Sequence, residues 1–278
     1  MGYILQMTDL HIDLDYVVGT KADCGEPMCC REVNGKGAAR EWGEYTCDIN
    51  AITFDKVVEH VAENFNPDFI VLTGDSPPHD VWEQSIEENV ACMIGTSTPF
   101  QKHFPDTPVI PALGNHDIFP IGQYRGPKYD QWWYSKMISA WEPWLNKEQL
   151  DQFHYGGFFK REVTPGLVVL SLNPNYMLSQ NIWLWLNESG ADIGGQLKWI
   201  DAELSAVQSV GKKALVLMHI PPGDASAVVD YAKQYTALLA QYSETVVGVI
   251  SGHTHNDHFE VVRGGAGEPL VNVFISPS

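Results

Sequence analysis

Five short apolar segments in this sequence end directly in polar residues of the kinds that bind metal ions. Most of them are rich in Val, Ile and Leu, and each has the length of a buried strand. The predicted strands are residues 3–7, 69–73, 109–113, 214–218 and 246–251. The polar tails that follow them are 8–11 (TDLH), 74–75 (GD), 114–117 (GNHD), 219 (H) and 252–255 (GHTH). Segments 167–172 and 270–275 also have strand character but carry no such tail.

Between these strands, apolar residues recur at the spacing of one helical face. The predicted helices are residues 50–65, 83–103, 130–145, 195–209 and 225–242. Strands that alternate with helices predict an α/β fold, and ligands of such folds bind beyond the carboxyl ends of the strands. We therefore predict a single α/β domain over residues 1–278, with the five polar tails gathered at one edge.

The charge and the hydropathy pattern exclude several functions. A formal net charge of −18 disfavours binding to nucleic acid, because the surface would repel a phosphate backbone. A small phosphate ester stays compatible with this charge, since bound divalent cations would reverse its sign locally. No apolar run reaches the roughly 20 residues of a membrane-spanning helix. The first residues lack a basic region and a cleavage site, so we expect no leader within this sequence.

Four of the five cysteines, Cys24, Cys29, Cys30 and Cys47, lie within 24 residues of one another. A zinc site is one interpretation, but their spacing matches no common zinc module. Disulfides are favoured instead, and four cysteines permit three pairings. Two bridges would indicate an oxidising compartment. The fifth cysteine, Cys92, lies in an apolar helical segment, and we expect it to be a buried free thiol.

The polar tails contain side chains that suit borderline divalent metals such as zinc, manganese or iron. They are Asp9, His11, Asp75, Asn115, His116, His219, His253 and His255. Because residues i and i+2 of a strand point the same way, Asp9 with His11 can aim two groups at one centre, and so can the two histidines of 252–255. A lone histidine is more often structural, but five clusters at five strand ends argue against that interpretation.

The order D-x-H, G-D, G-N-H-D, H, G-H-x-H resembles the calcineurin-like metallophosphoesterase superfamily. The resemblance implies a layered αββα sandwich with two metal ions at the strand carboxyl ends. It implies that Asp9, His11, Asp75 and His255 hold one metal ion and that Asp75, Asn115, His219 and His253 hold the other, with Asp75 between them. His116 resembles the family histidine beside the substrate. Asp117 either orients His116 or is a turn residue.

Residues 74–82 (GDSPPHDVW) are similar to the acid sphingomyelinase branch of this superfamily. Further similar segments are CGEPMCCR (24–31), WGEYTCD (42–48), AWEPWL (140–145), GGFF (156–159) and HIPPG (219–223). The resemblance implies the disulfides Cys24–Cys29 and Cys30–Cys47, and His79 matches a family histidine that approaches the leaving group. Pro78 stands where purple acid phosphatases have a metal-binding Tyr, so zinc is the expected metal.

The resemblance implies a sphingomyelin phosphodiesterase, which releases phosphocholine and ceramide in a secreted or lysosomal setting. The saposin domain and the C-terminal helical subdomain of that family have no counterpart in this sequence, which favours a nucleotide or CDP-alcohol phosphodiesterase as the alternative. A non-catalytic scaffold is a third interpretation, which the intact ligand set disfavours. Asn187 begins a glycosylation sequon. The tryptophans, Trp183 or Trp185 above all, could form a rim for peripheral membrane contact, although core packing is favoured. The oligomeric state has no sequence signal.

Overall fold

The computed structural model describes residues 2–278, in which two sheets lie between two layers of helices. The strands are β1 (Ile4–Met7), β2 (Ile12–Asp13), β3 (Ile49–Asn50), β4 (Phe69–Leu72), β5 (Val109–Pro111), β6 (Phe159–Thr164), β7 (Leu167–Ser171), β8 (Lys213–Leu217), β9 (Val246–Ser251), β10 (His258–Arg263) and β11 (Pro269–Ile275). The α-helices are α1 (Ala51–Asn64), α2 (Ile86–His103), α3 (Pro127–Trp141), α4 (Lys147–Gly156), α5 (Gln196–Ser209) and α6 (Val229–Gln241).

Both sheets have a parallel centre. The smaller sheet has the order β1-β4-β5, and all of its strands are parallel. The larger sheet has the order β10-β11-β9-β8-β7-β6, with antiparallel pairs only at its two edges. A short parallel pair, β2 with β3, lies outside both sheets. The carboxyl ends of the parallel strands carry all five polar tails, as the sequence predicts.

Apolar side chains hold the helices against both sheets and so produce the layered arrangement. Phe54 and Val58 of α1 and Phe100 of α2 pack on one face of the smaller sheet. Val71 on the opposite face of that sheet joins a continuous core shared with the larger sheet and with α3 to α6. Helix α5 contacts β8, and α6 contacts β10 and β11. The predicted αββα sandwich is therefore confirmed.

Polar contacts fix one sheet against the other. Gln6 of β1 donates from Nε2 to the carbonyl oxygen of Ser251 in β9 at 2.8 Å. Ser276, just after β11, donates to Oε1 of Gln6 at 2.7 Å. Ser171 of β7 donates to the carbonyl oxygen of Pro111 in β5 at 2.7 Å. These contacts join strand ends of the two sheets, so the loops that follow the strands meet.

Every predicted strand has a counterpart, and the predicted helices are present with shifted ends. Helix α2 begins three residues later than predicted because Ser85 caps it by accepting from the backbone N–H of Glu88. Helix α4 and the edge strands β6 and β10 were not predicted. A capping box formed by Asn146 and Gln149 marks the start of α4, which was the available signal.

The cysteines form Cys24–Cys29 and Cys30–Cys47, the pairing that the family resemblance implied. Cys92 is a buried free thiol as predicted, and burial raises its pKa. The two disulfides fit an oxidising compartment. Among residues 2–278, no helix combines the length and apolar character needed to cross a bilayer.

The tryptophans divide between the two predicted roles. Trp133 and Trp141 of α3 are buried in the shared core, which confirms packing as their role. Trp185, in a 3₁₀ helix over Ile182–Leu186, is 66% exposed, and Leu186 beside it is 75% exposed. One of the two tryptophans expected at a rim is therefore at the surface.

Substitution of Phe153 in α4 tests the packing of the core. Its ring is fully buried and contacts the rings of Tyr134 and Trp141 with centroids 5.2 and 5.0 Å apart. Phe153→Ala should lower the free energy of unfolding by about 3–5 kcal/mol in chemical denaturation, because it leaves a cavity. Phe259 of β10 is 68% exposed, and Phe259→Ala, the matched control, should change that energy by about 0.5 kcal/mol at most. A loss below about 1 kcal/mol for Phe153→Ala would contradict this packing.

Candidate metal centre

The loops after β1, β4 and β9 are joined by hydrogen bonds that their backbone N–H groups donate. The N–H of Asp9 donates to the carbonyl oxygen of Gly74, and the N–H of His11 donates to that of Asp75, both at 3.0 Å. The N–H of His253 donates to Oδ2 of Asp9 at 2.9 Å. These contacts bring residues far apart in sequence to one place at the carboxyl edge of both sheets.

Five of the seven candidate ligands have an uncommon backbone conformation. Their φ angles are 51° (Asp9), 40° (His11), 60° (Asp75), 74° (His253) and 57° (His255). A positive φ is uncommon outside glycine, and such a residue costs of order 1–3 kcal/mol. Cys30 is the one other non-glycine residue with positive φ among residues 2–278. Backbone strain is therefore concentrated in the loops of this site.

This geometry corrects one sequence prediction. We expected strand alternation to aim Asp9 and His11 the same way, and likewise His253 and His255. Strand β1 ends at Met7 and β9 ends at Ser251, so both pairs lie beyond the strands. Left-handed turns, rather than the pleat of a strand, direct these side chains into one site.

Glycines next to the ligands allow this close approach. A Cβ at Gly114 would overlap Oδ1 of Asp75, and a Cβ at Gly252 would overlap Oδ2 of Asp9. Both glycines belong to the polar tails identified in the sequence. Their absence of a side chain is therefore a steric requirement of the site.

The first group of ligand atoms lies around His11. Its Nε2 is 4.0 Å from Oδ1 of Asp9, 3.8 Å from Oδ2 of Asp75 and 3.2 Å from Nε2 of His255. Its Nδ1 lies 2.9 Å from the carbonyl oxygen of Pro77, which can only accept a hydrogen bond. The neutral ring therefore keeps a free lone pair on Nε2, the form that binds metal ions. Burial lowers the pKa of His11 to about 4, so this form prevails at neutral pH.

The second group of ligand atoms lies around His219. Its Nδ1 is 2.6 Å from the carbonyl oxygen of Thr73, which leaves Nε2 free. That Nε2 lies 3.1 Å from Oδ2 of Asp75 and 3.8 Å from Oδ1 of Asp9, yet it forms no hydrogen bond. Burial disfavours a charge on His219, but the two carboxylates outweigh it and raise its pKa to about 10. The position therefore favours a positive charge.

His253 and Asn115 complete the second group. Nε2 of His253 lies 2.9 Å from Oγ of Ser226, so Nδ1 is its remaining ligand atom. Oδ1 of Asn115 is buried and has no hydrogen-bond partner. A buried polar atom without a partner is unfavourable, and a cation next to it would remove that cost.

The donor set fits two cations that share Asp75. The ligand atoms of Asp9, His11 and Asp75 lie within 4.8 Å of one another, and so do those of Asp75, His219 and His253. Burial opposes ionisation of Asp75, but the charge of His219 above all outweighs burial and holds the pKa of Asp75 well below the usual range. Carboxylate oxygens and imidazole nitrogens in this mixture suit borderline divalent metals. The site can therefore hold two metal ions.

His79 and His116 border the first group. The ring of His79 stacks on that of His11 with centroids 3.8 Å apart, and the ring of His116 meets His11 edge-on at 4.8 Å. Nδ1 of His116 is buried without a hydrogen-bond partner. The two histidines that the family resemblance placed beside the substrate and near the leaving group thus lie side by side, with ring centroids 5.2 Å apart.

Asp117 does not orient His116, contrary to one of its two predicted roles. Its carboxylate accepts backbone hydrogen bonds from Gly114 at 2.6 Å, Ser76 at 2.9 Å and Asp75 at 3.0 Å. The alternative prediction of a turn residue is closer, since Asp117 joins the loop after β4 to the loop after β5. It therefore braces the backbone on both sides of Asp75.

The sequence reasoning missed the residues that orient the imidazoles. The carbonyl groups of Pro77 and Thr73 leave no sequence signal, because any residue can supply a carbonyl. Asp48 contacts Nδ1 of His79 at 2.8 Å, and its position directly after Cys47 in a family-like segment was a usable signal. Burial lowers the pKa of His79, but the hydrogen bond and charge of Asp48 outweigh it and raise that pKa.

The fold and this donor set define a metallophosphoesterase. The profile of the family described as "Calcineurin-like phosphoesterase" matches residues 2–257, and the chain belongs to that family. A dimetal phosphatase from Danio rerio has the same fold, with a TM-score of 0.61 at 12% identity over 99% of this chain and 87% of that protein.

Within this family, the chain is similar to several sphingomyelin phosphodiesterases and to a related phosphodiesterase. The chain is 39% identical to Sphingomyelin phosphodiesterase A of Dictyostelium discoideum, over 94% of this chain and 45% of that protein. It is 36% identical to human Sphingomyelin phosphodiesterase, over 99% of this chain and 45% of that protein. It is 30% identical to human "Cyclic GMP-AMP phosphodiesterase SMPDL3A", over 100% of this chain and 62% of that protein. The chain thus spans less than half the length of these two sphingomyelin phosphodiesterases.

Asp117→Ala tests the brace. It leaves three backbone N–H donors, two of them buried, without their acceptor, so the free energy of unfolding should fall by about 2–5 kcal/mol. Asp106→Ala is the matched control, because Asp106 is exposed, and its effect should stay within about 0.5 kcal/mol. Thermal and chemical denaturation measure both variants. Equal stability of the two variants would show that Asp117 does not brace these loops.

Proposed function

We propose that the chain is the catalytic domain, over residues 1–278, of a phosphodiester hydrolase that uses two divalent metal ions. The observation that carries this proposal is the pair of ligand groups that share Asp75, with buried polar atoms that lack partners. In this proposal, Asp9, His11, Asp75 and His255 hold one ion. Asp75, Asn115, His219 and His253 hold the other.

When bound, two such cations supply an activated water near neutral pH and neutralise charge on the phosphoryl oxygens. The chain's own residues do the rest. His79 and His116 act beside the ligands, where they donate a proton to the leaving oxygen and stabilise its developing charge. Because both rings lie beside each other and beside His11, both can reach the same leaving group.

The proposed substrate is a phosphodiester of the sphingomyelin type, and the proposed metal is zinc. The two relatives named sphingomyelin phosphodiesterase support this choice. The segment CGEPMCCR (24–31), which resembles the acid sphingomyelinase branch and takes part in both disulfides, supports it as well. The oxygen and nitrogen donors are compatible with zinc. Pro78 in place of a metal-binding Tyr supports zinc over a ferric ion.

The second candidate is a phosphodiesterase that acts on nucleotides or CDP-alcohols. The similarity to a human enzyme named for cyclic GMP-AMP, along the whole of this chain, favours it. Assays of sphingomyelin in detergent beside a CDP-alcohol and ATP separate the two candidates. A non-catalytic scaffold has less support, because no ligand position is lost.

The proposed setting is secreted or lysosomal. Two disulfides support it, and so does the exposed side chain of Asn187, the proposed glycosylation site. The proposed peripheral membrane contact has its best support at Ile182–Leu186, where Trp185 and Leu186 are exposed. Arg125 lies near this segment, with its guanidinium 5.7 Å from the ring centre of Trp183.

Asp75→Ala tests the shared ligand. Because Asp75 belongs to both groups, its loss should remove most of both bound metal ions, whereas Asn115→Ala should mainly affect one. Elemental analysis after dialysis measures the metal bound per chain, and circular dichroism verifies the fold. If Asp75→Ala keeps two equivalents of metal, Asp75 does not lie between the ions.

His116→Ala and His79→Ala test the acid groups. Each should lower kcat for a phosphodiester by about 100-fold or more, since general acid catalysis contributes on that scale. Bound metal should stay near the wild-type value, because neither residue is a proposed ligand. Loss of metal from either variant would contradict its assignment.

A further inference from the structure

One carboxylate holds His79 at two of its atoms. Oδ2 of Asp48 accepts from the backbone N–H of His79 at 2.7 Å, and Oδ1 lies 2.8 Å from Nδ1 of its ring. An ionised carboxylate can only accept hydrogen bonds, so the ring carries a proton on Nδ1 in this contact. Nε2 is therefore the ring atom that remains to act on a substrate.

This contact also sets the direction of the ring. The ring of His79 lies nearly parallel to that of His11, with an interplanar angle of 28°. Its centroid is 5.6 Å from that of His255, so the ring stands over the first ligand group. The side chain of His79 is 42% exposed, and packing alone would not hold it there. The two contacts with Asp48 therefore hold the ring of His79 in this orientation.

The chain on either side of Asp48 limits the movement of this carboxylate. Cys47, the preceding residue, is bonded to Cys30. Ile49, the following residue, begins β3 and pairs with Ile12 of β2, which directly follows His11. The side chain of Asp48 is only 14% exposed. The covalent bond and the strand pair thus fix Asp48 relative to the first ligand group.

A second contact joins the disulfide-closed segment, residues 30–47, to the loop that carries His79. Arg31 follows Cys30, is buried, and donates to Oδ2 of Asp80 at 2.6 Å and to Oδ2 of Asp13 at 3.0 Å. Asp80 directly follows His79. The disulfide-closed segment from Cys30 to Cys47 therefore contacts the loop of His79 near both of its ends, through Arg31 next to Cys30 and through Asp48 next to Cys47.

We propose that Asp48 is a positioning residue that holds His79 in place as the leaving-group acid, and that the Cys30–Cys47 segment is the frame for this pair. The inference deepens the proposed function and rests on it. In the step, the oxygen of a water molecule bonds to phosphorus while the bond from phosphorus to the leaving oxygen breaks. The ring of His79 carries protons on both nitrogens before the step, the leaving oxygen takes the one on Nε2, and the proton that the water loses goes to solvent. The proton on Nδ1 stays on the ring, and Asp48 stays ionised.

A double-mutant cycle tests the coupling. The variants are Asp48→Ala, His79→Ala and the combination, each assayed with methyl phenyl phosphate and with methyl p-nitrophenyl phosphate. Asp48→Ala should lower kcat for the phenyl ester by about 10- to 100-fold, as loss of a supporting residue typically does, with little change in KM. The p-nitrophenyl ester should lose much less, because its leaving group needs no proton. The combined variant should be no slower than His79→Ala alone.

Asp55→Ala is the matched control. Asp55 also contacts a histidine, with Oδ1 3.2 Å from Nε2 of His103, but that pair lies outside the metal centre. The kcat of Asp55→Ala should equal that of the wild type on both esters. If Asp48→Ala does not fold, Asp48→Asn keeps the shape of the side chain and takes its place in the same cycle.

A second measurement does not depend on activity. In ¹H–¹⁵N spectra of the imidazole groups, recorded at a pH at which the ring is neutral, His79 of the metal-free protein should carry its single proton on Nδ1, and Asp48→Ala should lose this preference. Wild-type protein that binds two metal ions but cleaves neither ester would refute the proposed function. An active wild type whose Asp48→Ala variant keeps full kcat on the phenyl ester, or whose losses multiply in the combined variant, would refute this inference alone.

Discussion

Two buried carboxylates in contact with the same imidazoles are the constraint on which this structure depends. Asp9 and Asp75 are 3% and 2% exposed, and Nε2 of His219 lies within 3.8 Å of an oxygen of each. A buried negative charge is strongly unfavourable unless a positive group or a metal ion lies beside it. The raised pKa of His219 shows how strongly this pocket favours positive charge. Two divalent cations would satisfy both carboxylates at once.

The rest of the fold offsets the unfavourable free energy of this arrangement. Five ligands have positive φ angles, which local preferences oppose. The loops hold these conformations because Asp117 braces the backbone around Asp75 and because Asp9 accepts from the loop after β9. Both sheets are in turn fixed by a continuous apolar core and by Gln6, which spans from β1 to β9. Core packing thus stabilises a strained, charged edge.

The sequence predicted the strands and the convergence of their tails because both follow from local patterns. Val71 and its neighbours form an unbroken apolar run that ends at Leu72, and Asp75 follows three residues later. The left-handed turns at Asp9 and His253 could not be predicted from spacing, since they depend on hydrogen bonds between distant loops. The contact of Asp48 with His79 spans 31 residues and depends on a disulfide whose pairing the cysteine spacing alone leaves open among three connectivities. Long-range contacts of this kind leave little local signal.

X-ray diffraction from crystals of protein purified without added metal, recorded on both sides of the zinc absorption edge, tests the central claim most directly. The account predicts two anomalous peaks, one among Asp9, His11 and His255 and one among Asn115, His219 and His253, with a carboxylate oxygen of Asp75 bound to each. The converse result is an ordered site with no peak after soaking in zinc or manganese, and with every imidazole hydrogen-bonded to protein groups alone. That result would contradict the account.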